Sequence, residues 1–212
     1  MSLPLNGRQH AANSTESEVP LEPNGLECRH SCPPAAHGAV MILRMATPAD
    51  VALLRHWDRQ PHISAAKGDD DWAWEVELNK SPGWMEQLIA DVEGRSIGFL
   101  QIIDPAREDS HYWGDVPPDL RAIDLWIGEP ADVGKGYGTE MMRLALARCF
   151  ADPAVTAVLV DPLAGNTRAH RFYKRLGFRF VEHRRFGRDD CFVYRLNRAE
   201  YISLTCGNRC SC

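Results

Sequence analysis

The stretch DVGKGYGTEMMRLALARCF, Asp132 to Phe150, places three glycines within five residues and then becomes an apolar-periodic run. It follows AIDLWIGE, Ala122 to Glu129, which reads as a strand. A strand, a glycine turn and a helix in that order dictate a local geometry. Backbone N–H groups crowd at a helix N-terminus that carries about half a positive charge. Gly134, Gly136 and Gly138 have no Cβ to keep an anion away, and Lys135 adds a cation. The stretch therefore reads as a cradle for a pyrophosphate. It is not a P-loop, because Lys135 is out of register with G-x-x-x-x-G-K-[ST]. A dinucleotide fingerprint fails at its third glycine position, where Thr139 stands. A purely structural glycine turn remains the alternative, although the triad is denser than a turn needs.

The rest of the chain confines this loop to one mixed domain. Of 212 residues, 44% are hydrophobic and 25% charged, which suits a single globular unit with tails. Residues 1–40 are rich in Pro, Ser, Asn and Gly and read as a flexible extension. Residues 41–200 read as the domain, and residues 201–212 as a cysteine-bearing tail. MILRMA, Met41 to Ala46, opens the domain as a strand, and Thr47, Pro48 and Asp50 form a helix-start signature before Val51, Leu53, Leu54 and Trp57. Ser64 to Gly83 reads as loop with a short helix, and Trp84 to Asp104 as a hairpin turning at Glu93-Gly94. Residues 107–120 read as loop, and Ala154 to Asp161 as a strand. Asn166 caps a helix that Gly177 stops, and a closing strand pair follows, with Asp189 and Asp190 just before the last strand. Helices alternate with strands only in the second half, which predicts a mixed α/β sheet with helices on both sides rather than a doubly wound fold.

Composition excludes some functions. A net charge of −5 argues against nonspecific nucleic-acid binding. No apolar run reaches the roughly 18 residues of a membrane span, and the N-terminus lacks the apolar core of a secretory signal, so a cytoplasmic protein with reduced thiols is expected. Of seven cysteines, Cys28, Cys32, Cys206, Cys210 and Cys212 lie towards the chain ends, without the C-x-x-C spacing of strong zinc patterns, so no metal site is expected. Cys149 falls at core-like spacing on the helix after the glycine loop and reads as a small hydrophobe, not a nucleophile.

Two motifs in order carry a resemblance. VGKGYGTEMM after IDLWIGE, then NTRAHRFYKRLGF from Asn166 to Phe178, resemble the acetyl-CoA-binding half of the GCN5-related N-acetyltransferase (GNAT) superfamily. The family loop is R/Q-x-x-G-x-G/A; Gly136 and Gly138 match, and Val133 departs from it. Asn166, Ala169, Tyr173, Gly177 and Phe178 match the second signature, N-x-x-A-x-x-x-Y-x-x-x-G-F. The segments RAIDLWIGEPADVGKGYGT, FADPAVTAVLVDP and HWDRQPHISA are similar to the aminoglycoside 6'-N-acetyltransferase subgroup.

The resemblance implies a mostly antiparallel twisted sheet of about six to seven strands, flanked by helices and splayed between the fourth and fifth. It implies acetyl-CoA as co-substrate, held by Val133, Gly134, Lys135, Gly136, Tyr137, Gly138 and Thr139, by Asn166 and Ala169, and by the backbone of Leu125, Trp126 and Ile127. Tyr173 becomes the general acid for the leaving thiolate. Asp124, a charge in an otherwise apolar strand, either faces the acceptor amine or pairs with an arginine such as Arg121. Asp161 ends the next strand and either holds an amine or makes an ordinary turn before Pro162. Asp70 and Asp71, in the run that starts at Asp69, read as a solvated loop or an acidic lid for a polycation. Trp72, Trp74 and Trp113 offer flat walls or core, and Asp189 and Asp190 complete an acidic rim. The function implied is direct transfer in a ternary complex to the 6'-amine of an aminoglycoside, an antibiotic-resistance activity, by a monomer or homodimer with no nucleic-acid or membrane partner. The alternatives are a siderophore-type hydroxylamine acetyltransferase, a peptide N-terminal acetyltransferase, and a non-catalytic acyl-CoA sensor.

Overall fold

A computed structural model describes residues 40–67, 72–80 and 82–207. Residues 1–39 of the N-terminal extension, with Cys28 and Cys32, and Asp69–Asp71, Cys210 and Cys212 lie outside them.

The first strand, β1 (Met41–Met45), pairs antiparallel with β2 (Met85–Val92), which turns into β3 (Arg95–Ile103). The turn residues Glu93 and Gly94 have φ of 51° and 78°, as a two-residue hairpin that follows the strand twist requires. β3 pairs antiparallel with β4 (Leu120–Ile127), and β4 runs parallel to β5 (Ala157–Val160). β6 (Arg179–Phe186) and β7 (Asp189–Asn197) close the described seven-stranded sheet, whose order is β1-β2-β3-β4-β5-β7-β6. The only parallel pair in that sheet is β4–β5, so the expected mixed, mostly antiparallel sheet is present.

Helices cover both faces. α1 (Val51–Asp58) follows a 3-10 turn at Pro48–Asp50, where the Thr47 N–H donates to Asp50 Oδ2 at 2.8 Å. α2 (Pro61–Lys67) and α3 (Trp74–Glu77) come next. Ser64 to Lys67 is therefore helical, not loop; Pro61 opens α2 because the first helical position needs no N–H. Leu54, Trp57, Ile63 and Trp74 pack on Ile89, Phe99 and Trp126. On the other face Met141, Met142 and Ala145 of α4 (Tyr137–Cys149) pack with Leu88, Leu100 and Ile123. The switch from Leu88 to Ile89 and from Leu100 to Phe99 is the strand period of two. Ile97, left unpaired by a bulge opposite Ala90 and Asp91, changes phase and joins Leu100 and Ile102.

Several boundaries differ from the sequence expectation: β1 ends at Met45 rather than Ala46, and β4 spans Leu120–Ile127 rather than Ala122–Glu129. Ala154–Thr156 precede β5 in a turn closed by Val155 N–H to Asp152 O at 3.1 Å. Asp189 and Asp190 lie within β7. A last helix, α6 (Arg198–Gly207), makes residues 201–207 helical. Its start is capped by Glu200, whose Oε2 accepts the Asn197 N–H at 3.0 Å, and Tyr201 stacks on Phe150 at 4.7 Å between centroids.

Candidate active site

β4 and β5 stay paired only over Leu120–Ala122 against Ala157–Leu159. Beyond Ala122, β4 continues to Ile127 held by β3. Two cavities lie along this parting. One, of about 610 Å³, runs beside Val133, Gly134, Gly136, Gly138 and Thr139. The other, of about 310 Å³, holds Asp124 and Asp161. Leu125, Trp126, Asn166, Ala169 and Tyr173 border both, so the two meet where the strands part.

The glycine loop supplies the first cavity with backbone. Gly134 and Gly136 have φ of 88° and 90°, a region that a Cβ disfavours. A Cβ built at either would meet no atom within 4 Å, so the loop surface is open there. Gly136 is the N-cap of α4; its carbonyl already accepts the Thr139 N–H at 3.0 Å, while the Tyr137 and Gly138 amides come before the first i−4 acceptor of the helix. Asp132 braces the loop from behind. It is 3% exposed and accepts from Arg95 Nη2 at 3.2 Å and Lys135 Nζ at 3.4 Å. The Arg95 guanidinium holds this carboxyl below its ordinary range. Lys135, expected as a phosphate cation, is thus turned onto Asp132; neither it nor Tyr137 lines the cavity. The cations that do line it are Arg168, Arg171 and Arg175. They share one face of α5 (Thr167–Arg175) at i, i+3 and i+7, a spacing visible in the sequence but missed there. Asn166 caps α5, its Oδ1 accepting the Ala169 N–H at 3.0 Å.

The second cavity is acidic. Asp124 lies opposite Gln101 in the β3–β4 register, and Gln101 Nε2 donates to Asp124 Oδ2 at 2.8 Å. Arg121 pairs elsewhere, with Asp104 at 3.7 Å and Asp152 at 3.5 Å. Asp161, just past β5, accepts from the Tyr112 hydroxyl at 2.7 Å. Burial first, and then the charge of Asp124, push the Asp161 carboxyl up to about 7. Glu108 and Asp189 add two more carboxyl groups to the wall. Burial, together with the charges of Asp161 and Asp189, pushes the Cys191 thiol up to about 12. Cys149 is raised to about 12 by burial too, in keeping with an inert core thiol. Tyr173, 7% exposed at the junction, has its phenol pushed up by burial and by Asp124 and Asp161, so it stays protonated at neutral pH.

Trp72 and Trp113 line the acidic cavity, whereas Trp74, 1% exposed, is core. Asp190 is not in the lining and pairs with Arg185 at 3.3 Å. Asp70 and Asp71 lie outside the described residues. Gln101, Glu108 and Tyr112 belong to the site and were missed by sequence. Among the described residues, four buried polar atoms of side chains that line this cavity have no hydrogen-bond partner: Trp72 Nε1, Trp126 Nε1, Gln101 Oε1 and Glu108 Oε2. Two donors and two acceptors left open suit a ligand that both gives and takes hydrogen bonds. Among the described residues no group of three or more His, Cys, Asp or Glu is placed to hold a metal ion. None of the described helices is long and apolar enough to cross a membrane.

Residues 46–186 match the acetyltransferase (GNAT) domain family. The chain is 30% identical over 147 residues to aminoglycoside N(6')-acetyltransferase type 1 of Klebsiella pneumoniae, spanning 65% of this chain and 73% of that one. It is 30% identical over 146 residues to the lysine N-acyltransferase MbtK of Mycobacterium tuberculosis, spanning 66% and 69%. The crystal structure of aminoglycoside acetyltransferase AAC(6')-Ib with coenzyme A and kanamycin superposes with a TM-score of 0.71 at 25% identity, covering 78% of this chain and 99% of that one.

Proposed function

The chain belongs to the acetyltransferase (GNAT) domain family, and from that premise we propose that it moves the acetyl group of acetyl-CoA to the 6'-amine of an aminoglycoside. One observation carries this reading: an acidic cavity and a basic, glycine-lined cavity share Tyr173.

The residues fit the coenzyme. The open surface at Gly134 and Gly136, the Tyr137 and Gly138 amides at the start of α4 and the Arg168, Arg171 and Arg175 guanidinium groups form an anion site. When bound, acetyl-CoA supplies an activated acyl thioester. The β4 edge at Leu125–Ile127, with no β5 partner beside it, offers backbone N–H groups to an oxyanion.

Four carboxyl groups, Glu108, Asp124, Asp161 and Asp189, attract a polycation into the acidic cavity. Asp124, oriented by Gln101, holds the acceptor ammonium. Asp161, with its carboxyl raised to about 7, takes the proton that the amine must lose before it can attack. Tyr173, protonated and buried, donates to the leaving sulfur. Transfer is direct: neither buried thiol is activated as a nucleophile, since Cys149 and Cys191 are both raised to about 12.

The test is thiol release from acetyl-CoA with kanamycin-type aminoglycosides, analogues lacking only the 6'-amine, L-lysine, a hydroxylamine and peptides. Turnover that vanishes with the 6'-amine supports the reading, and expression should then raise resistance in a sensitive host. A lysine acceptor is the second reading, favoured by the 30% identity to the lysine acyltransferase. Turnover of lysine with silence toward every aminoglycoside would establish it in place of the first.

A further inference from the structure

His62 begins from a hydrogen bond that settles its tautomer. Its Nε2 lies 2.8 Å from the carbonyl oxygen of Ile127, the last residue of β4. A carbonyl oxygen only accepts, so Nε2 carries the hydrogen. In the neutral ring Nδ1 is then a bare lone pair. That atom is buried and has no hydrogen-bond partner among the described residues. His62 also lines the basic cavity, alongside Ile127, Trp126 and Ala66. A buried acceptor without a donor is costly, and the residue that carries it lines the space proposed for the coenzyme.

We propose that His62 is a coenzyme-binding residue whose Nδ1 accepts a hydrogen bond from an amide N–H or hydroxyl of the pantetheine arm. This rests on the reading of the basic cavity as the acetyl-CoA site. The imidazole acts as an extension of the strand. The Ile127 carbonyl is engaged by Nε2–H, and the acceptor it would have offered reappears one ring further out, at Nδ1. α2 thereby sets how far out along β4 the arm finds its partner. The same helix brings Ile63 and Lys67 to the acidic cavity, so one short element touches both substrates' spaces.

Two substitutions separate the two nitrogens. His62→Gln can keep a donor for Ile127 but presents no acceptor where Nδ1 stood. His62→Asn places an amide oxygen near the Nδ1 position and gives up the bond to Ile127. Each is measured by calorimetric binding of coenzyme A, of phosphopantetheine and of adenosine 3',5'-bisphosphate, which lacks the arm, after thermal melting confirms folding. The expected result is that His62→Gln weakens coenzyme A and phosphopantetheine by about tenfold while leaving the bisphosphate unchanged. His62→Asn should retain the larger part of that affinity. In the wild-type protein the 15N resonance of Nδ1 should move on adding coenzyme A and stay still on adding the bisphosphate. Equal weakening of all three ligands, or none in either variant, would overturn the proposal. Wild-type protein that binds the bisphosphate and coenzyme A equally well would also overturn it while sparing the anion site. Failure to bind any of the three would instead remove the acetyl-CoA reading on which it rests.

Discussion

The Tyr112 hydroxyl donates to Asp161 Oδ2 at 2.7 Å, tying the long loop before β4 to the residue that follows β5. Its ring stacks flat on Phe186 at 4.3 Å between centroids, so the hydroxyl is held in place by packing. This bond opposes the upward push on the Asp161 carboxyl. Tyr112→Phe keeps the stack and removes the bond. The expected result is a fall in kcat/KM for the amine of about five- to tenfold, carried mainly by KM. The acid limb of the pH profile should also move to higher pH, because a hydrogen bond favouring the carboxylate is gone. An unmoved limb would show that Asp161 is not the group it reports.

Asp161 also links stability to pH. Its folded carboxyl sits near 7, against an ordinary value of 3.8. Between those values the folded protein holds a proton that the unfolded chain has released. Stability is therefore fully present below about 4, falls as pH rises, and reaches its lower level above about 7. Asp161→Asn removes the titration while Tyr112 keeps an oxygen to bond. The variant should lose activity, yet melt about 2–8 °C above wild type at pH 8, corresponding to roughly 1–2 kcal/mol. At pH 4 the difference should vanish. An equal gain at both pH values would mean that a shape effect, not ionisation, sets it.

What was legible in the sequence was what is local. The Thr47–Asp50 cap, the Glu93-Gly94 turn, the glycine loop and the Asn166 cap are each decided within a few residues, and each is present. Asp124 stood out because an apolar strand rarely carries a carboxylate. Gln101 and Tyr112 were invisible for the opposite reason. Gln101 matters through the register of β3 on β4, and Tyr112 through Trp113 and Phe186, which anchor its loop to β6. Lys135 was read without its partner: Asp132, buried and already bound by Arg95, accepts from its Nζ at 3.4 Å. The arginine face of α5 and the N-x-x-E cap of α6 were readable by spacing alone and were passed over.

The α5 arginines lead to a prediction about salt. Arg168, Arg171 and Arg175 line the basic cavity on one helical face, so each is expected to meet phosphate rather than the reacting centre. Single alanine substitutions should raise the KM for acetyl-CoA several-fold to about tenfold and leave kcat within about twofold. The loss should shrink at high ionic strength, where the wild-type protein also binds more weakly. A fall in kcat with unchanged KM would place these arginines nearer the chemistry than the groove implies.

Tyr173 and Asp124 meet at the same junction but are expected to fail differently. Tyr173→Phe removes the proton for the leaving sulfur and keeps the ring that packs on Phe178 at 5.6 Å. Its kcat should drop by about 10²–10⁴ with little change in either KM. Asp124→Asn can still accept from Gln101 through its amide oxygen but loses the charge that faces the ammonium, so KM for the amine should rise as kcat falls. It also removes the neighbour that raises Asp161, and the acid limb should move to lower pH. An acyl donor with a more acidic thiol separates the roles, because such a sulfur needs less help from an acid. It should recover most of the activity of Tyr173→Phe and little of that of Asp124→Asn. Equal recovery in both variants would assign the tyrosine to packing and leave the leaving group to water.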